Sequence, residues 1–223
     1  MNKSTFRACA VLGVAALTAL TFGTAAQASQ SPHSTQTAQA AQAAQAAQAA
    51  RGDGGYGYTV IRRGIPDGAV RFDVAGPQIR DGSFPASAWA DAFGCSGANK
   101  QFTLDWHGAP AEAKSFAVTM FDPDAPTGSG FWHWLVWDIP AGSTDLTGAL
   151  PAGAVAGTDD AGITGYLGPC PPAGDIAHHY EITVYALNVP SLDLPAATPA
   201  AVTVFTMSSH VIGYAEMTVD ARR

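Results

Sequence analysis

The pattern of apolar and polar positions changes character three times along the chain. Residues 8–26, "ACAVLGVAALTALTFGTAA", form one uncharged apolar run. Residues 37–50 repeat Ala-Gln-Ala with a period of three, which puts no apolar stripe on one face of a helix and so cannot build a core. From residue 57 onward, glycines and prolines separate short strand-like runs. "YTVIRR" (58–63) and "RFDVAG" (71–76) are brief and partly alternating, and "QFTLDWHG" (101–108) sets Phe102, Leu104 and Trp106 against Gln101, Thr103 and Asp105. "SFAVTMFD" (115–122) and "FWHWLVWDI" (131–139) are apolar on both faces and read as central strands; simple alternation puts His133 on the face of Phe131, Leu135 and Trp137. "HHYEITVYAL" (178–187) alternates again, with His178, Tyr180, Ile182 and Val184 on one face. "TPAAVTVFTMSSH" (198–210) predicts the one helix, with Thr198 as its cap and Pro199 in its first turn, and "VIGYAEMTV" (211–219) a closing strand. Many short strands between turn signals predict a mainly β fold of the sandwich or Greek-key kind.

The apolar run near the start has another use. Lys3 and Arg7 precede it, and Ala26-Gln27-Ala28 is an A-x-A site, the arrangement of a secretory signal cut after Ala28. A membrane anchor is the competing reading, but no basic cluster follows the run, so no span is expected once the signal is cut. The expected organisation is therefore a signal peptide (1–28), an Ala/Gln-rich tether or neutral spacer (29–56), one domain (57–223), and a secreted or extracytoplasmic destination.

Charge then excludes several partners. Loss of Lys3 and Arg7 leaves nine basic residues against 18 acidic ones, a net charge of −9. The only basic runs are Arg62-Arg63 and Arg222-Arg223, so nucleic acid is repelled and docking on anionic membrane has no support. An anion site in such a chain has to be local, made of dipoles and neutral donors. No phosphate-loop, CxxC, HExxH or GxSxG signature occurs, and no cofactor is implied. After signal removal two cysteines remain, Cys95 in "FGCSG" and Cys170 in "GPCPP"; in an oxidising compartment a bridge between these turn-like flanks is expected, the alternative being two free thiols.

Several polar residues stand where a core should be. Asp122-Pro123-Asp124-Ala125-Pro126 leaves a central strand, and its prolines fix the directions of both carboxylates. His133 lies between two tryptophans. His178 opens a second strand, after the stiff loop "GYLGPCPPAGD" (165–175). Taken singly these are a solvated Asp-Pro turn, a satisfied core histidine and a rigid surface loop. Together they describe a fixed carboxylate, two histidines at strand ends and a pre-organised rim.

"DPDAPTGSGFWHW", "GYLGPCPPAGDIAHHY" and "ITVYAL", in this order and separation, resemble the phosphatidylethanolamine-binding protein family, in particular its bacterial Raf-kinase-inhibitor-like branch; "FGCSG" and "TPAAV…SSHVIGYAEM" resemble it too. The resemblance spans about residues 70–220. It implies two antiparallel sheets, a few short helices and one small pocket for anions such as a phospholipid phosphate. Carried over by motif position, Asp122, His133, His178, Tyr180, Cys170, Pro171 and Pro172 fall on the pocket, with Asp124 supporting it. The family's Gly-x-His-Arg departs here: "GDIAHHY" puts His179 at the arginine position. If His179 pairs with Asp124, their bond weakens as pH rises and the imidazole loses its proton. "NKQFTLDW" lacks the Ser-Pro the family often carries, so that corner is expected to differ.

The chemistry expected of this set is binding. Asp122 orients a histidine; His133, His178, Tyr180 and loop amides near Cys170 donate to a phosphate or carboxylate; and Phe131, Trp132 and Trp134 exclude water. An acid–base enzyme using the same Asp/His/Tyr groups is the alternative, weakened by the lack of a nucleophile, because Ser129 is in a loop and Cys170 is expected in a bridge. A metal held by two histidines and a carboxylate is a third reading. The family name adds a target protein, a kinase or protease, as a partner compatible with binding.

Overall fold

The computed structural model describes residues 64–223. The export signal, the tether and the strand expected at 58–63 lie outside the described residues. The strands within them are β1 (Val70–Arg71), β2 (Asp73–Ala75), β3 (Leu104–His107), β4 (Ser115–Asp122), β5 (Phe131–Pro140), β6 (Asp145–Leu146), β7 (Val155–Ala156), β8 (His178–Leu187) and β9 (Val211–Ala221), with helix α1 (Ala200–Ser208) between the last two. They form a six-stranded sheet in the order β1-β9-β8-β4-β5-β7 and a three-stranded sheet in the order β2-β3-β6. All pairs are antiparallel except β1 with β9. The run at 71–76 is thus divided: Phe72 is buried at the point where the chain leaves the large sheet for the small one.

The large sheet is covered on both sides, which is why β4, β5 and β8 carry apolar residues on both faces. One side faces the small sheet, and the core there takes Leu104 and Trp106 from β3, Val118 and Met120 from β4, Trp134 and Val136 from β5, and Tyr180, Ile182 and Val184 from β8. The other side packs Ala117, Leu135, Trp137, Tyr185 and Leu187 against Ala200 and Met207 of α1. Trp134 and Trp137 are almost fully buried, and truncating either to alanine should cost about 3–5 kcal/mol.

Two expectations need correcting. Thr198 does not cap α1: the cap position is Pro199, with no side-chain bond, and the Thr198 hydroxyl turns back to Pro195 O. His133 is not on the face of Leu135 and Trp137. Met120 pairs with Trp134 and Phe121 with Trp132, so His133 is an extra residue on β5, a β-bulge. The bulge resets the alternation. Trp132 packs with the helix-side core, while the His133 ring meets Tyr180 on the other side.

Candidate functional site

The end of β4, the bulge of β5 and the start of β8 meet at one end of the central strands of the large sheet. β4 ends at Asp122, and the backbone N–H of Asp124 donates to Asp122 Oδ1 at 3.0 Å, closing an Asx turn at Pro123. That bond turns the other oxygen, Oδ2, inward. His178 Nδ1 lies 2.7 Å from it and His133 Nε2 4.0 Å from it. The chain returns into β5 through Gly130 at φ 75; any side chain there would strike the Phe121 ring and the Asp122 carbonyl, so a glycine is required for so tight a return.

A cavity of about 210 Å³ opens beside this cluster. It is lined by the expected Asp122, His133, Cys170, Pro171, Pro172, His178 and Tyr180, and also by Phe131, Phe93 and Ala125-Pro126-Thr127. The volume is below the roughly 300–1,000 Å³ of drug-sized pockets, so it suits a small ligand. Of the expected walls, Phe131 is present. Trp132 and Trp134 are not: the bulge sends Trp132 to stack on Phe121 and leaves Trp134 in the core against Phe102. Phe93 and the Ala125-Pro126-Thr127 segment were not expected on the lining, nor was Asp175 beside His178. Only Asp175 had a sequence signal, an acidic residue three positions before His178.

The two inner histidines differ electrostatically. Burial pushes the pKa of His133 down to about 4, against the opposing pull of Asp122, so the ring is neutral at pH 7. For His178 burial again favours the neutral ring, but the hydrogen bond and charge of Asp122, with Asp175 added, outweigh it and raise the pKa. Tyr180 is raised by burial and then by the charge of Asp122, so it remains a phenol donor. Three polar atoms on these lining residues are buried without a hydrogen-bond partner: His133 Nδ1, His178 Nε2 and the Tyr180 hydroxyl. Each still has protein neighbours at longer range: Asp175 Oδ2 lies 3.5 Å from His178 Nε2 and acts on it by hydrogen bonding and then by charge, the Leu167 and Gly168 backbone acts on His133, and Asp122 and the Cys170 backbone act on Tyr180.

A second pair lies outside the cavity. Asp124 Oδ2 accepts from the His179 backbone N–H and lies 2.8 Å from His179 Nδ1. His179 is raised by that side-chain bond, then by the charge of Asp124. Burial opposes the lowering of Asp124, but the two bonds from His179 prevail and its pKa falls. The structure therefore brings Asp124 and His179 together on the outer face of the turn.

Cys95 and Cys170 form a disulfide with Cα atoms 5.9 Å apart, tying residues 91–96 to the cavity loop. The loops meet closely below it, since a side chain at Gly168 would strike the Ala88 carbonyl. Among the described residues no group of three or more His, Cys, Asp or Glu is arranged to hold a metal ion, and no helix is long and apolar enough to cross a membrane.

Comparison with known proteins converges on this arrangement. YbcL of Escherichia coli K12 is 41% identical over 160 residues, covering 67% of this chain and 87% of that protein. The solved structure described as E. coli YbcL, a new member of the mammalian PEBP family, superposes with a TM-score of 0.66 at 40% identity, covering 68% of this chain and 98% of the other. A putative lipoprotein, LppC of Mycobacterium tuberculosis H37Rv, is 41% identical over 124 residues, 55% of this chain and 58% of that one. The family model for phosphatidylethanolamine-binding proteins matches residues 78–222, from before the first cysteine loop to the end of the last strand. With two sheets around these motifs and a relative this similar along most of its length, the chain belongs to the phosphatidylethanolamine-binding protein family.

Proposed function

We propose that this protein binds a small phosphate-bearing anion, such as a phospholipid head group, in the cavity beside Asp122, outside the cytoplasm and without chemical turnover. One observation carries the reading: His133, His178 and Tyr180 gather around Asp122 on the lining of one small cavity, each with a buried polar atom that makes no close hydrogen bond within the protein. A buried unpaired donor costs about 1–3 kcal/mol, a cost a ligand oxygen removes. Asp122 and Asp175 favour the protonated ring of His178, which donates Nδ1–H to Asp122 and offers Nε2–H to a ligand oxygen beside Asp175. Neutral His133 and the Tyr180 phenol add donors without adding charge. Phe93, Phe131, Pro171 and Pro172 supply apolar walls that strengthen those bonds by excluding water. A chain of this negative charge can hold an anion only through such a local set. Export is supported by the signal-like residues 1–28 and by the lipoprotein name of one relative.

The test is calorimetric titration of the protein with phosphoethanolamine and with inorganic phosphate, beside His133→Ala. Saturable binding that weakens at least tenfold in the variant is expected. No heat at millimolar ligand would overturn the reading. Turnover of an ester or phosphodiester library that vanishes in His178→Ala would replace binding with catalysis.

A further inference from the structure

We propose that Phe93 is a movable wall of the cavity and that the Cys95–Cys170 bridge holds it in place, so that ligand affinity responds to reduction of the bridge. This rests on the binding function proposed above. Phe93 lines the cavity yet is 64% exposed, so it stands at the mouth. Its backbone is left-handed, φ 52, and Gly94 follows at φ 81. A bulky residue keeps such a conformation only where its surroundings hold it there, and such outliers collect at ligand clamps and switches. The turn closes on itself through Cys95 N–H donating to Ala92 O at 2.9 Å, and two further fastenings hold it. Cys95, two residues on, is bonded to Cys170, itself a cavity residue, and the Arg223 guanidinium donates to Gly94 O.

Below the tip the two loops are joined by bonds that do not involve sulfur. Ala90 N–H donates to Pro169 O at 3.2 Å, Gly168 N–H to Asn99 Oδ1 at 2.7 Å, Asn99 Nδ2 to Tyr166 O at 3.0 Å, and the Tyr166 hydroxyl to Ala88 O at 3.0 Å. Opening the bridge therefore frees residues 91–96 from the cavity loop, leaves the tip held only by the Arg223 bond and its own backbone turn, and leaves the loop bases docked. Both cysteines are only half-buried, so a thiolate can reach them. A dithiol reductant attacks one sulfur to form a mixed disulfide, and its second thiol then displaces the protein sulfur. The bridge takes up two electrons and two protons to become two thiols, and the reductant leaves as its cyclic disulfide. Phe93 then relaxes to negative φ, its ring leaves the mouth, and the bound ligand loses an apolar wall.

The experiment is calorimetric titration with phosphoethanolamine, with and without dithiothreitol, on the intact protein, Phe93→Ala and Cys95→Ser. Reduction is expected to weaken binding by the intact protein about fivefold. Phe93→Ala should be equally weak when oxidised and indifferent to reductant, and Cys95→Ser should match the reduced protein. Equal affinity in the oxidised and reduced protein overturns the proposal, as does a reductant effect that persists in Phe93→Ala. Should the oxidised protein bind no phosphoethanolamine, the binding function fails and the wall is judged by NMR. Movement of the Phe93 and His133 resonances on reduction, with those of Asn99 and Tyr166 unmoved, supports it; unchanged Phe93 resonances overturn it.

Discussion

Two aspartate–histidine pairs stand side by side on the same turn and the same strand, and they are almost identical in length. The inner pair, Asp122 and His178, is separated by 2.7 Å, the outer pair, Asp124 and His179, by 2.8 Å. Their surroundings differ completely. The inner side chains are 3% and 1% exposed, the outer ones 27% and 55%. Adjacent residues of a strand point to opposite faces, and the two aspartates leave the turn in opposite directions because Pro123 separates them. Distance alone therefore says little about what a pair does. Burial makes the inner pair essential to its neighbours and leaves free donors beside it, whereas solvent screens the outer pair and leaves it a clasp on the turn.

Breaking the inner pair should have the largest effect. Asp122→Ala leaves the buried His178 without its partner, and denaturant unfolding should show a loss of about 3–5 kcal/mol together with loss of phosphate binding. A loss below about 1 kcal/mol would make the two pairs equivalent. Acidification comes next. His133 titrates near 4 in the fold and near 6.5 unfolded, so the unfolded chain binds more protons between those values. Stability is expected to fall by about 3 kcal/mol as pH drops from 7 to 4 through this residue, and His133→Asn should remove that part of the slope. His178 has the opposite sign. Its raised pKa contributes stability that is complete below about 6.5 and is lost as pH rises through the folded value. NMR titration should place its midpoint above that of a free histidine, and Asp122→Asn should bring it down.

The outer pair should give the smallest effect. A double-mutant cycle on Asp124 and His179 is expected to give less than about 1 kcal/mol, reduced further by salt. Asp124 is lowered and His179 raised, so the coupling is present between the two folded values. It is lost as pH falls through that of Asp124 and again as pH rises through that of His179. His179→Arg should keep the coupling on the alkaline side, because arginine holds its charge.

Much of this was legible in the residues. β4 and β8 run over the spans their patterns predict, 115–122 and 178–187, because strands buried on both faces or cleanly alternating leave little freedom of register. The turn chemistry of Asp122-Pro123-Asp124 followed from proline geometry, whereas the pairing of Asp124 with His179 came only from the family resemblance, which puts His179 at an arginine position. The face of His133 did not. A bulge depends on how two strands align, and nothing in "FWHWLVW" alone marks the extra residue. For the same reason the tryptophans looked like cavity walls and are core. Phe93 was hidden differently, since a loop residue reaches a distant site only through the disulfide and the hydrogen bonds that fold two loops together.

The contrast between the pairs and the function proposed for the inner one can be tested together by following the ring resonances of the five histidines among the described residues while inorganic phosphate is added at pH 7. His133 and His178 should shift along one saturating curve with a common Kd, while His107, His179 and His210 stay in place. If phosphate moves only the exposed His179, or moves neither inner ring, the cavity beside Asp122 is not the anion site.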